Sequence, residues 1–200
     1  MIRKFFVFMA IAMLFIGVRT GIAGADLVSN GSFQIGDLTG WTLSDPSNTM
    51  AIVESIAPQN LVPGGPSGNE VVLSTYGTAE SISQTIATTA NTKYSVNFWV
   101  ANDDFTGTSY FKALWNGAAV TATPDLSTQV GAFNYTEFTI TGTATGTGST
   151  IGFQFLNDNS VYHLTGVSAS TAVPIPPTAL LFFPALAGLI GLKRRQSTKA

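Results

Sequence analysis

The chain has 200 residues, 20 of them glycine, 9 proline and none cysteine, with a formal net charge of −2. That length holds one domain with a real core, and the missing cysteine excludes disulfides and thiolate metal sites. Arg3, Lys4 and Arg19 sit at the front and Lys193, Arg194, Arg195 and Lys199 at the back, leaving Lys93 and Lys112 against eleven acids between Asp26 and Asp158, a balance of −9. Such a body argues against a nucleic-acid partner, which needs clustered Lys and Arg, and suits a neutral or cationic one, or none.

Residues 1–25 read as a secretory signal peptide. Arg3 and Lys4 start it, and Phe5 to Val18 form an apolar run of 14 residues, an h-region too short to span a bilayer comfortably. Ala23 and Ala25 are the small residues that signal peptidase requires, so after the Sec translocon the mature chain begins at Asp26. Arg19, directly behind the apolar run, is unusual in such a segment. An uncleaved anchor is the alternative.

From Asp26 to about Ser170 the apolar period is two. In "YSVNFWV" Tyr94, Val96, Phe98 and Val100 face one way, and Ser95, Asn97 and Trp99 the other. "TEFTI" puts Phe138 and Ile140 on one side, and "IGFQF" does so with Ile151, Phe153 and Phe155. "YFKALWNGAAV" reads as a hairpin, because Asn116-Gly117 accepts the positive φ of a type I′ turn. Two stretches read as loops or exposed edges: "PQNLVPGGPSGNE" (58–70) and "TGTATGTGST" (141–150). Gly146-Thr147-Gly148 lacks the lysine and helix of a phosphate loop. No amphipathic helix stands out. The expected fold of residues 26–170 is all-β, an antiparallel two-sheet β-sandwich, flanked by the N-terminal signal helix and a short C-terminal transmembrane helix.

Asn30-Gly31-Ser32-Phe33-Gln34 followed by Gly36-Asp37-Leu38-Thr39-Gly40-Trp41 resembles the first strand of carbohydrate-binding-module jelly rolls, the galactose-binding-like sandwiches. "SISQTIATTANTKYSVNFWV" is similar to the central strands of that fold, and "VYHLTGVSAS" to its closing strand. Many relatives of this kind bind a structural calcium near the first and last strands. Here Gln34 stands where Glu is usual, and Thr165-Gly166 where a pair of Asp is usual, so the expectation is that no such ion is bound and no cofactor or metal is needed. Asn102-Asp103-Asp104 and Asn157-Asp158-Asn159 are further oxygen clusters, read as solvated turns at strand ends.

His163 is the sole histidine, which rules out a two-histidine metal site; one His in a β run reads as a structural partner. No nucleophile elbow accompanies it. Asp103, Asp104 and Glu137 are acids without a pattern that singles them out for glycoside hydrolysis. No catalytic residue is assigned, and the chain is expected not to be an enzyme. Trp41, Trp99, Trp115 and Tyr110 could stack on sugars, but Trp41 and Trp115 read as core. Trp99 alternates with Phe98 and points away from the core, so it is the candidate carbohydrate contact.

Residues 171–200 form the third region. The apolar run Thr178 to Leu192 (178–192) would extend roughly 22 Å as a helix, short of the ~30 Å hydrocarbon core. Val173, Pro174, Ile175, Pro176 and Pro177 (173–177) oppose helix ahead of it, and Lys193, Arg194 and Arg195 (193–195) would stay on the cytoplasmic side. This layout resembles the PEP-CTERM sorting signal, with Val173-Pro174-Ile175-Pro176 nearest its Val-Pro-Leu-Pro variant. The resemblance implies transient anchoring in the inner membrane of a Gram-negative bacterium and cleavage by an exosortase near the motif. Release to the cell surface or an exopolysaccharide (biofilm) matrix would follow. A plain C-terminal anchor is the alternative.

The sequence thus reads as an exported, exosortase-processed surface or matrix protein without catalytic activity. A carbohydrate-binding protein acting on exopolysaccharide is the second reading, and a secreted hydrolase the third. The intact mass of the protein from its native host should correspond to a chain starting at Asp26 and ending near residues 173–177; a mass including residues 1–25 or 178–200 would contradict the sorting assignment.

Overall fold

The computed structural model describes residues 26–45, 49–57, 62–103, 109–128 and 131–172. The signal peptide, the sorting motif, the apolar tail and Asp104 lie outside them. Among the described residues no helix is long and apolar enough to cross a membrane.

The described chain is mostly β. Its strands are β1 (Thr42–Leu43), β2 (Thr49–Ser55), β3 (Asn69–Ala87), β4 (Lys93–Asn102), β5 (Ser109–Trp115), β6 (Ala118–Ala119), β7 (Phe133–Thr143) and β8 (Gly148–Thr171), with one 3₁₀ turn at Leu126–Thr128. Every pairing between them is antiparallel. The two sheets expected from the sequence are joined: one hydrogen-bonded sheet curls on itself as a half-barrel.

Two long strands cause the curl. The first half of β8 pairs with β5 and with the second half of β3, from Phe155↔Glu80 to Gly148↔Ala87. Its second half pairs with β4, and with the first half of β3 at Tyr162↔Leu73 to Leu164↔Val71. The β3–β8 register breaks between Leu73 and Thr75 and between Thr75 and Glu80, so both strands bend at one place. The β3 side of this bend holds Gly77, at φ 74°, and Tyr76, 75% exposed.

The core fills the inside of the curl. Phe153 is its hub, fully buried, with its ring centroid 4.8 Å from Phe98, 5.8 Å from Phe111 and 6.2 Å from Trp41. Trp41 and Trp115 are buried as expected.

The motif near the front docks the chain onto β8. Val167 donates its N–H to the Gly31 carbonyl, and a Cβ at Gly31 would come within 1.8 Å of the Val167 carbonyl oxygen, so only glycine fits. Phe33 and Trp41 then enter the core 5.8 Å apart, while the Gln84 amide brackets Ser29, accepting from its N–H and donating to its C=O. Asn116 and Gly117 both have positive φ, 51° and 80°, as the β5–β6 hairpin requires. The 141–150 stretch belongs mostly to β7 and β8, with the turn confined to 144–147. Asn69 and Glu70, read as loop, begin β3.

Trp115 lies flat over Gly142 and donates its indole N–H to the Thr143 carbonyl at 3.2 Å. A Cβ at Gly142 would sit 2.1 Å from the indole, whereas one at Gly146 would meet nothing within 4 Å. Gly142→Ala should therefore destabilise the fold by about 1–3 kcal/mol in denaturant titration, and Gly146→Ala by less than about 0.5 kcal/mol. Equal effects at the two glycines would contradict this packing.

Candidate functional site

The core occupies one face of the sheet formed by β2, β3, β8, β4 and β7. The opposite face is set by register. Ile52, Val72, His163 and Ala101 lie in one row across β2, β3, β8 and β4; in the next, Glu54 pairs with Glu70, and Trp99 pairs with Thr165 and with Glu137. Alternation does the rest: because Tyr162 and Leu164 are core, His163 must point outward.

Outward does not mean exposed here. Ile56 and Val62, flanking the β2–β3 connection, pack with Ala101, Tyr135 and Trp99 in a second small hydrophobic cluster. The connection is pinned at its neck, where the Ile56 N–H donates to the Gly68 carbonyl at 2.8 Å. His163 is 4% exposed and Glu70 1%.

His163 lies between two carboxylates. Its Nδ1 is 3.2 Å from Glu70 Oε2 and its Nε2 is 2.9 Å from Asp103 Oδ1. The ring N–H directions point wide of both oxygens, so these are close ion pairs rather than aligned hydrogen bonds. Burial disfavours a charge on the imidazole; the pull of Glu70, then of Asp103, more than offsets it and holds the His163 pKa above the ordinary value. The Tyr135 ring meets the imidazole edge-on at 6.4 Å, and its buried hydroxyl has no hydrogen-bond partner among the described residues.

Beside this cluster, at the end of β4 and β7, opens a groove of about 320 Å³ walled by Ala101, Asn102, Asp103, Phe133, Asn134 and Tyr135. The Asp103 side chain is 56% exposed and reaches both groove and imidazole. Asn102 is not the solvated turn residue expected. It is 4% exposed, accepts from Asn157 Nδ2 at 3.1 Å and donates to the Gly131 carbonyl at 3.1 Å. Asn157 is likewise buried within β8, because the amide pair satisfies both where the strands cross.

The other residues singled out from sequence fall apart in space. Trp99 does point to the outer face, half-buried against the second cluster. Tyr110 lies on β5 under the Lys112 ammonium, 4.5 Å from its ring centre, in a separate recess. Glu137 is exposed opposite Trp99. Burial raises the Tyr162 pKa against the Ser109 hydrogen bond, on the core side of β8 next to His163, and hydrogen bonds from Thr39 lower that of Asp37, in the turns before β1.

At the corner where the resemblance would put a calcium, the protein's own groups bond one another. Thr165 Oγ1 donates to the Asn69 carbonyl at 2.6 Å, Asn69 Nδ2 to the Phe33 carbonyl at 3.1 Å, and Gln34 Nε2 to the Ser32 carbonyl at 3.3 Å. Gly166, where an Asp is usual, has φ +60° at a bulge: β8 advances from Thr165 to Ser168 while β4 advances only from Trp99 to Asn97. A Cβ there would lie 3.0 Å from Trp99 Cδ1.

A family profile described as "HpiC1-like: HpiC1 cyclase" matches residues 21–170, three quarters of the sequence. The chain belongs to the HpiC1-like family. Among curated proteins none matches the sequence. Solved structures resemble this HpiC1-like chain in fold. TmCBM61, solved with β-1,4-galactotriose, is 15% identical over 73% of this chain and 98% of its own, with a TM-score of 0.53. The CBM22-1 xylan-binding domain of Paenibacillus barcinonensis Xyn10C is 13% identical over 76% and 97%, at 0.51. The enzymatically active domain of bacteriophage CBA120 tailspike protein 4 is 19% identical over 73%, at 0.51, and the chain spans only about a fifth (21%) of that protein. These likenesses establish a carbohydrate-binding-module-like jelly roll.

A raised folded-state pKa means that the charged His163 contributes stability that is complete below the unfolded value, about 6.5, and is lost as pH rises through the folded one. Thermal stability should therefore fall as pH climbs above about 6.5, and Glu70→Gln should flatten that fall while costing about 3 kcal/mol at pH 6. Stability that rises across this range in the parent protein would contradict the charge arrangement.

Proposed function

We propose that this HpiC1-like chain is an exported, non-catalytic surface or matrix protein whose open sheet face binds carbohydrate. The observation that carries the reading is the groove of about 320 Å³ at the β4–β7 end of the sheet, bordered by Phe133 and by groups that can bond sugar hydroxyls. Phe133 at the groove and the half-buried Trp99 on the neighbouring strand supply apolar surface on which sugar C–H faces pack; Asn134 and Asp103 supply an amide and a carboxylate for hydroxyls. The carbohydrate-binding-module-like fold is consistent with that use. Exopolysaccharide is the proposed ligand, and export through Sec with exosortase processing of the 173–177 motif is the proposed route to it; the sequence layout at the two ends supports the route.

The family description favours a second reading, a cyclase. Its chemical support is a carboxyl–imidazole–carboxyl cluster at the edge of a groove, a set that can deliver or accept a proton. Conversion of a small-molecule substrate to a ring-closed product, abolished in Asp103→Asn, would favour it.

Binding of host-derived extracellular polysaccharide to the full chain, followed by calorimetry, should weaken at least tenfold, roughly, in Trp99→Ala with the melting transition retained. No binding by the parent protein, or equal binding by Trp99→Ala, would contradict carbohydrate recognition on this face.

A further inference from the structure

Among the described residues the strands that pair on one side only are β1, β2, β6 and β7. An open edge invites pairing with another chain, and most of these edges are blunted. β1 and β6 are two residues long, and β7 is capped midway, where Thr123 and Thr139 exchange backbone hydrogen bonds. β2 has no such protection. It runs for seven residues, Thr49–Ser55, in unbroken register with β3, and holds no Lys, no Pro and no bulge.

The groups along this edge follow from the register. The Ile56 N–H donates to the Gly68 carbonyl one step past Ser55↔Asn69, so Ile56 and Gly68 form a hydrogen-bonded pair. Alternation then turns the N–H and C=O of Met50, Ile52 and Glu54 toward β3, and those of Thr49, Ala51, Val53 and Ser55 away from it. The face beside the edge is apolar. Ala51 and Val53 pack against the core, so Met50 and Ile52 stand on the outer face, 42% and 50% exposed. Tyr76, 75% exposed, continues their row on β3, two residues past Ser74, the partner of Met50. Ile35 is the only other large hydrophobic side chain exposed among the described residues. Exposed apolar side chains gathered along one open edge mark an interaction surface.

We propose that β2 pairs antiparallel with β2 of a second copy of this chain, about a two-fold axis at Ile52. The order of residues in the strand selects this occupant. With Ile52 opposite Ile52, Ala51 meets Val53, Thr49 meets Ser55 and Met50 meets Glu54. Every residue of the strand is then paired, and the outward-turned residues fall opposite one another, each pair exchanging two hydrogen bonds. Glu54, the one charge of the strand, lies beside the apolar Met50 and about 13 Å along the strand from its own copy. An axis at Glu54 would set two carboxylates face to face, and one at Ala51 or Val53 would leave residues at one end unpaired. The axis stands normal to the sheet, so the outer faces of both copies, with their grooves, turn the same way, which suits a polymeric ligand. The dimer does not depend on the carbohydrate reading, and its test uses no saccharide, so either can fail alone.

The test is sedimentation velocity of the full chain. The parent should dimerise at roughly tens of micromolar, and more tightly as salt rises, because each body carries −9 between its charged ends. Ile52→Lys puts a cation on each strand at the axis, and Ala51→Pro removes an outward N–H while keeping every bond to β3. Each should raise the dissociation constant about tenfold or more with the melting transition retained. The chain has no cysteine, so an introduced thiol has no competitor. Ile52→Cys should cross-link under mild oxidation, since a non-hydrogen-bonded pair holds its Cα atoms about 4.5 Å apart, and Met50→Cys should not. A parent chain that stays monomeric at about 100 µM would overturn the proposal and leave the edge to a strand of another protein. A dimer undiminished in both Ile52→Lys and Ala51→Pro would overturn β2 as its interface. Cross-linking of Met50→Cys as readily as of Ile52→Cys would overturn the two-fold register.

Discussion

A strand of 24 residues can be hydrogen-bonded along its length in a small domain only if it changes partners on the way, and β8 does this. It begins between β3 and β5, passes a bend where the β3 register slips, and ends beside β4. The bend curls the sheet around the Phe153 cluster and leaves the second half of β8 with one face inward and one outward. Everything at the candidate site follows from that second half. It sets Tyr162 and Leu164 into the core, and so His163 onto the outer face beside Ala101 and Val72.

The imidazole there does structural and chemical work at once. With Glu70 on β3 and Asp103 at the end of β4, it ties three neighbouring strands through charge rather than through packing. A buried cluster of this kind is costly unless its members stay paired, which favours keeping Asp103 beside the imidazole just past the end of β4. Asp103 can therefore be held in place at the groove while half of its side chain faces solvent. The bulge at Gly166 has a matching role for Trp99: the missing Cβ leaves room for the indole against β8, on the side of β4 away from β7.

Much of this was legible in the residues. Period-two alternation placed the strands and the direction of Trp99, and Asn116-Gly117 marked the hairpin. The Asn30-to-Trp41 motif pointed to a jelly roll, and its reason is steric: Gly31 under the Val167 carbonyl, Phe33 and Trp41 in the core. Alternation also held a signal that went unread. If Phe138 and Ile140 face inward, Tyr135 and Glu137 face outward, on the side of Trp99. Glu70 was hidden because it closes a run of Pro and Gly, and its meaning comes from a partner 93 positions away, His163. Asn102 and Asn157 read as wet turns because local sequence cannot show that two amides 55 positions apart satisfy each other. The single continuous sheet was hidden for the same reason: a register slip between distant strands leaves no local mark.

The account stands on the outer face of the β8 end of the sheet being the working surface. The direct measurement is residue-resolved: amide and indole NMR shifts of the full chain during titration with the polysaccharide of its host. Perturbations concentrated at the Trp99 indole, Asp103, Asn134 and Tyr135 are the result this account predicts. Shifts centred instead on Tyr110, Lys112 and Ser127, in the recess beside β5, would contradict it.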